Sequence, residues 1–303
     1  MVSCIPELSV LMDRSSLPTA GNSDSSRAAS GAMKETDRGS GMNIRFSLPA
    51  ARTARLLGMG VALLVLLHLA GTVCHLFFHI RAGAFITLFD LDLESNLPTF
   101  YNCLLFFVCA GLFLAHSRLW NVKQRYGWLV MTGACAFLGV DEGSQIHEKF
   151  MLVTLRLLNH GQQNGSDLGW LYYAWVLPYG IAAALLVLTL TKWMLALDKE
   201  MRRWFIISGV VYVMGAVFME MYSGRIAERL DPSTLAPGAM DYLPCEVYPA
   251  NSCHLYTNVR YIAAYTLEET FEMAALVICA YALMKGLGRE RVTIEIATAD
   301  PVK

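Results

Sequence analysis

The sequence predicts an all-α integral membrane protein, a bundle of six transmembrane helices around a polar, outward-facing cavity. Three observations point there. Only 16% of the 303 residues are charged and 55% are hydrophobic, where a soluble domain carries about 25% charged residues. Six apolar runs approach the roughly 20 residues that cross a hydrocarbon core. Acids and histidines recur at one end of those runs, although a charge at the bilayer centre costs about 2.5–3.5 kcal/mol. The mean hydropathy of +0.42 agrees. A net charge of −1 gives no global field that would gather nucleic acid.

Residues 1–50 are rich in Ser, Gly, Ala and Thr and lack the apolar content to build a core, so they read as a disordered tail. No signal-peptide apolar region precedes the membrane part. Met42 opens a more typical bacterial start, Met42-Asn43-Ile44-Arg45-Phe46, which suggests that translation begins there. The membrane domain spans 51–288, with helices at about 56–80, 99–117, 127–148, 170–191, 204–223 and 258–284. A tail follows at 289–303.

Lys and Arg set the orientation. Arg45, Arg52 and Arg55 precede the first span; Arg118, Lys123 and Arg125 join the second and third; Lys192, Lys199, Arg202 and Arg203 join the fourth and fifth; Lys285, Arg289 and Arg291 follow the sixth. With six spans all of these fall on one side, which places both termini in the cytoplasm of a bacterial inner membrane. The other side holds Arg81, Lys149, Arg156, Arg225, Arg229 and Arg260, so the bias is not absolute. Trp120, Trp128, Trp170, Trp175, Trp193 and Trp204 lie near span ends, as an aromatic belt requires.

That topology brings five polar segments to the outer half of the bundle. His68, Thr72, His75 and His79 share one face of the first span at spacings of 4, 3 and 4; His75 and His79 suit one metal, or else serve as ordinary interface hydrogen-bonders. The loop Asp90-Leu91-Asp92-Leu93-Glu94-Ser95-Asn96 alternates oxygen ligands, a weak calcium pattern without the Gly and Glu of an EF-hand, or else a turn ending where Pro98 opens the next helix. Asp141, Glu142, His147 and Glu148 close the third span. On a wheel of about 100° per residue, Asp141 and Glu148 share a face, flanked by Glu142 and His147. Glu148 next to Lys149 also reads as a helix simply surfacing into water. Glu220 closes the fifth span.

In the sixth span Glu268, Glu269 and Glu272 lie about 15–21 Å below its outer start. Tyr261, Tyr265, Glu268 and Glu272 share one face. Three carboxylates this close need a cation, protons, or a salt-bridge network, for which Arg225 and Arg260 are nearest. Cys74, Cys103, Cys109, Cys135 and Cys279 lie inside apolar runs and read as small hydrophobes, and Cys4 lies in the tail. Cys245 and Cys253 share the longest outer loop and read as a disulfide that pins a lid.

The run Leu138-Gly139-Val140-Asp141-Glu142 through Ile146 resembles the Leu-Asp-Glu-x-x-x-Ile pattern of alkaline ceramidases, and Glu94-Ser95-Asn96 resembles the Glu-x-Asn of their calcium-binding loop. That resemblance, over about twenty residues, implies an intramembrane zinc amidase. The family has seven spans and takes a His-x-x-x-His zinc pair from the last; here six are counted, the last carries Glu268, Glu269 and Glu272, and the His-x-x-x-His is His75 to His79. The chain is also similar to an uncharacterised group of bacterial multi-pass proteins with an Asp-Glu…His-Glu signature.

The functional expectation is a metal-dependent membrane enzyme acting on a lipid or amphiphile, most readily a hydrolase. His75, His79, Asp141, His147, Glu220, Glu268 and Glu272 are the candidate ligands for a divalent metal, zinc or iron. Glu142 or Glu269 is the candidate general base. Asp90, Asp92, Glu94 and Asn96 form a second candidate cation site, suited to calcium. The alternative is a cation- or proton-coupled transporter that uses the same carboxylates as transient ion sites. The expected partners are membrane lipid and a small amphiphile or cation, with no nucleic acid.

Overall fold

The structure, a computed structural model, describes residues 43–44, 49–78, 83–119, 122–158, 168–230, 248, 253–289 and 294–295. The tail before residue 42, His79 and Cys245 lie outside the described residues. Pro49–Gly286 form one compact unit. In the second unit, Met1–Leu48 with Leu287–Lys303, the described strands β1 (Asn43–Ile44) and β2 (Ile294–Glu295) pair antiparallel with Asn43 opposite Glu295.

The first unit is all-helical. Its described helices are α1 (Ala50–Phe78), α2 (Gly83–Phe89), α3 (Leu97–Leu119), α4 (Val122–Ser144), α5 (Ile146–Leu158), α6 (Val176–Ala196), α7 (Lys199–Val213), α8 (Glu220–Arg229) and α9 (Val259–Arg289). A π-helical turn, Met214–Met219, runs α7 into α8 without a break. Five stretches are long and apolar enough to cross a membrane: α1, α3, α6, the continuous α7–α8 rod, and α9. The third expected span, 127–148, corresponds to α4, which is long enough at 23 residues but not apolar enough. Lys123, Gln124 and Arg125 open it and Asp141 and Glu142 close it, so its apolar run is short.

Side chains supply the caps. Asn96 Oδ1 accepts from Thr99 N at 3.1 Å at the start of α3, and Asp198 Oδ1 accepts from Glu200 N and Met201 N at the start of α7. Asn258 Oδ1 accepts from Arg260 N and Tyr261 N at the start of α9. The expectation that one helix runs from 127 to 148 is corrected. Gln145 takes a left-handed φ of 56°, which ends α4, and the chain restarts as α5. The Lys149 ammonium folds back onto the Ser144 carbonyl at 2.7 Å, satisfying a free helix end.

Contacts fix the packing directions. α3 and α4 lie antiparallel, with Phe113 against Trp128, Phe106 against Gly139 and Asn102 bonded to Glu142. α3 and α9 run parallel: Cys109 Sγ reaches Leu276 O, and seven residues on, His116 Nε2 reaches Leu283 O. α7 and α9 run antiparallel, through Trp204 against Tyr281, Ser208 Oγ on Ala275 O and Gly215 against Glu268. One end of this bundle is close-packed. Trp128 is fully buried, stacked on His116 at 4.5 Å and edge-on to Trp193 at 5.0 Å. A Cβ on Gly127 would meet the Trp193 ring at 2.2 Å, so only glycine lets α4 approach it. At the other end of α3 and α4 lies the cavity.

Candidate functional site

Where α4 stops, the neighbouring helices enclose a cavity of about 560 Å³. α4 contributes Asp141 and Glu142, α5 contributes His147 and Glu148, and the loop before α3 contributes Asp92 and Glu94. Glu220 comes from the head of α8, and Glu268, Glu269 and Glu272 come from α9. Among the described residues, nine carboxylates and one imidazole therefore share the space, and no lysine or arginine lines it. The salt-bridge alternative for the α9 acids is corrected accordingly. The Arg225 guanidinium pairs with Glu228, and Arg260 is exposed.

The acids are held by specific partners. Asp141 Oδ1 accepts from His147 N at 2.9 Å and from Tyr179 Oη at 2.9 Å, and its Oδ2 lies 3.3 Å from His147 Nδ1. The break at Gln145 makes this possible, because it folds His147 back over Asp141. The single wheel drawn through residue 148 therefore does not describe their relation. Glu142 Oε1 accepts from Asn102 Nδ2 at 3.1 Å, and Glu220 Oε1 accepts from the Trp175 indole at 2.7 Å. Ser223 Oγ donates to Glu268 Oε2 at 3.3 Å. Gly215, in the π turn, faces α9 so closely that a Cβ would stand 2.7 Å from the Glu268 carbonyl and 3.0 Å from the Glu272 side chain. π turns inside α-helices concentrate at functional sites, and this one sets the floor of the cavity.

The loop Asp90–Asn96 divides its acids between two jobs. Asp90 is buried away from the cavity. Its Oδ2 lies 3.8 Å from His68 Nδ1 and accepts from Tyr248 Oη at 2.8 Å. The His68 ring in turn meets Thr266 Oγ1 at 3.1 Å, tying the loop to α1 and α9. Asn96 caps α3 and donates to the Asp90 carbonyl at 2.6 Å. Asp92 and Glu94 instead line the cavity. Asp92 Oδ2 accepts from Tyr256 Oη at 2.5 Å and Tyr261 Oη at 3.3 Å. The expected four-ligand calcium set is thus split. Burial pushes the Asp92 carboxyl up to about 7, against the opposing pull of the Tyr256 hydroxyl. Burial, and next the negative charge of Glu142, push Glu94 up to about 8.

Three residues of the kinds that can ligate a metal come together at the cavity. One ligand atom from each of Glu94, His147 and Glu148 lies within 4.8 Å of the others. Glu94 Oε2 is buried with no hydrogen-bond partner among the described residues. Glu148, expected to be only solvated, is exposed but takes part in this group. Of the two ligands expected from the first span, only His75 is among the described residues. His75 does not line the cavity and packs edge-on to Tyr248, and His79 is outside the described residues. Cys253 is disulfide-bonded; Cys245, the partner anticipated for it, is outside the described residues.

Sequence reasoning missed the aromatic wall. Tyr173, Trp175, Tyr179, Tyr212 and Tyr256 line the cavity, and three of them hydrogen-bond its acids. Trp175 had the composition of a membrane-belt residue, yet its indole points at Glu220. The available signal was the four-residue spacing of Trp175 and Tyr179, which sets them on one helical face.

No curated protein and no solved structure matches the chain. A family model described as Domain of unknown function (DUF8692) matches residues 56–285, and the chain belongs to that family.

Proposed function

We propose that the chain is a metal-dependent integral membrane hydrolase acting on a lipid or other amphiphile. In this reading α4 completes a six-span bundle, both termini are cytoplasmic, and the cavity opens to the outer side of a bacterial inner membrane. The observation that carries the reading is the meeting of Glu94, His147 and Glu148 at the mouth of a carboxylate-lined cavity. A histidine with two carboxylates is a donor set that zinc and iron both accept, and a catalytic site of three protein ligands leaves room for water. Asp141 supports this set from behind. By engaging His147 Nδ1 it leaves Nε2 for a ligand, the carboxylate–histidine arrangement that orients metal-binding imidazoles.

A bound divalent ion lowers the pKa of its water to about 7. With Glu94, His147 and Glu148 holding such an ion, Glu142, beside Asp141 on α4, or Glu269 on α9 would accept a proton from water as the water oxygen adds to the acyl carbon. The same proton passes to the departing amine or alcohol as the acyl bond breaks, so the carboxylate ends as it began. Asp141, Glu220, Glu268 and Glu272, expected as ligands, become the supporting shell. The test is release of fatty acid from amide- and ester-linked amphiphiles by purified protein, before and after metal stripping and reconstitution. Release restored by metal in the wild type and lost in Glu142→Gln or Glu269→Gln supports the reading. No release under any metal overturns it.

A second reading rests on a different observation. Glu268 and Glu272 are buried in a spanning helix with no cationic side chain in the cavity, as in a cation- or proton-coupled transporter. Isotope uptake into vesicles that is abolished by Glu268→Gln favours transport; tight metal without flux favours the enzyme.

A further inference from the structure

The cavity has a second wall that the acids do not explain. Ala134, Phe137 and Leu138 of α4 face Gly180, Ala183 and Leu186 of α6 across it. The π turn closes this side with Ala216 and Val217, next to Val213. Several of these residues line the cavity and are also exposed on the outside of the bundle. Phe137 is 50% exposed and Val213 42% exposed, and Ala182 and Ala183 are exposed too. Since α6 and α7 are among the helices apolar enough to span, that exposed rim lies where lipid chains would be. The lining thus runs from the acids onto exposed apolar side chains beside small residues of α6 and the π turn.

Tyr179 stands at the junction of the two walls. Its ring lies 6.5 Å from Phe137 on the apolar side, and its hydroxyl donates to Asp141 on the acidic side. Trp175 stands edge-on to it at 5.4 Å, and Tyr173, Tyr256 and Tyr261 continue the aromatic lining. Electron-rich ring faces within about 6 Å attract organic cations, quaternary ammonium groups above all. Those carboxylates of the lining that are ionised act in the same direction. A phosphate or carboxylate head group would meet no arginine or lysine among the described residues there. The volume of about 560 Å³ lies within the range of about 300–1,000 Å³ of small-molecule sites.

We propose that the cavity takes a single-chain amphiphile with an ammonium-type head group, which enters from the membrane between α4 and α6, sets its head among the aromatic rings and acids, and leaves its chain against Phe137, Leu138, Ala183 and Leu186. The inference deepens the hydrolase reading and rests on it for the identity of the site as a substrate site.

Binding alone tests it, without metal or turnover. The full chain, metal-stripped, is placed in phosphatidylcholine nanodiscs and offered dodecyltrimethylammonium or dodecylsulfonate, each with a photoreactive diazirine at mid-chain. The expected result is saturable binding of the ammonium probe, about tenfold or more tighter than the sulfonate, with cross-links on the α4 and α6 residues named above. Ala183→Trp, which adds bulk to that lining, should lower that binding about tenfold or more while helicity by circular dichroism is unchanged. Should that variant misfold, the cross-link map of the unmodified chain decides. Equal or tighter sulfonate binding overturns the proposal, as do cross-links confined to outward residues of α1 such as Leu63 and Leu66. A protein that holds metal but prefers the sulfonate keeps the hydrolase reading and loses this one. One that prefers the ammonium probe but never holds metal does the reverse.

Discussion

The two ends of the α3–α4 hairpin hold a histidine each and treat it in opposite ways. At the closed end, His116 stacks on Trp128 and bonds a backbone carbonyl of α9. At the open end, His147 sits against Asp141 beside Glu94 and Glu148, over a cavity. The helices are the same; the difference is what surrounds them. Trp128, Trp193, Phe113 and Phe205 fill the closed end. At the open end α4 stops at a left-handed Gln145, beside the acid-lined cavity. One end of the hairpin holds the fold together, and the other is kept empty at the expense of packing.

Substitutions can break this division. Trp128→Ala should cost about 3–5 kcal/mol of stability, read by thermal unfolding in detergent, with metal content per folded molecule unchanged. His147→Ala should leave the fold intact and weaken metal binding by at least about a hundredfold, since even groups behind a ligand are worth about 10–100-fold; competition with a chelating dye measures it. Gly215→Ala should cost about 1–3 kcal/mol, because its Cβ would press on the Glu268 carbonyl; it is the one change expected to disturb stability and metal binding together. Tyr179→Phe, which removes a hydrogen bond to Asp141, should cost only about 0.5–1.5 kcal/mol.

Proton linkage sharpens the same contrast. Asp92 and Glu94 have folded values raised to about 7 and about 8, above those of an unfolded chain, so the native state binds more protons across that interval. The contribution these acids make is therefore fully present below the ordinary carboxylate range and declines as pH rises to about 8. Melting temperature of the metal-free protein should fall over that range, less steeply in Glu94→Gln.

Much of this was legible in the sequence and some was not. Low charge and apolar runs are properties of composition, so an all-helical unit with several helices apolar enough to cross a membrane was readable from them. The clustering of Asp141, Glu142, His147, Glu220, Glu268, Glu269 and Glu272 followed from placing polar residues by depth along the spans. What periodicity cannot see is a departure from the helix. The left-handed Gln145, which decides that His147 meets Asp141, has no signature beyond the preceding Gly143-Ser144. The π turn at Met214–Met219 reads as ordinary apolar helix, with Gly215 its one visible irregularity. His75 sat on a convincing ligand face, but the spacing of a helix face does not say what packs against it, and here that is Tyr248. Tyr179 and Trp175 were hidden for the same reason: an aromatic residue near a span end has one composition and two possible directions.

The central claim is that Glu94, His147 and Glu148 hold a metal ion at the cavity mouth. Elemental analysis of protein purified without added metal tests it most directly, on the wild type and on a Glu94→Gln, His147→Gln double variant. The account predicts about one zinc or iron per wild-type chain and almost none in the variant at unchanged helicity. No stoichiometric metal in the wild type, or equal metal in both, would contradict it.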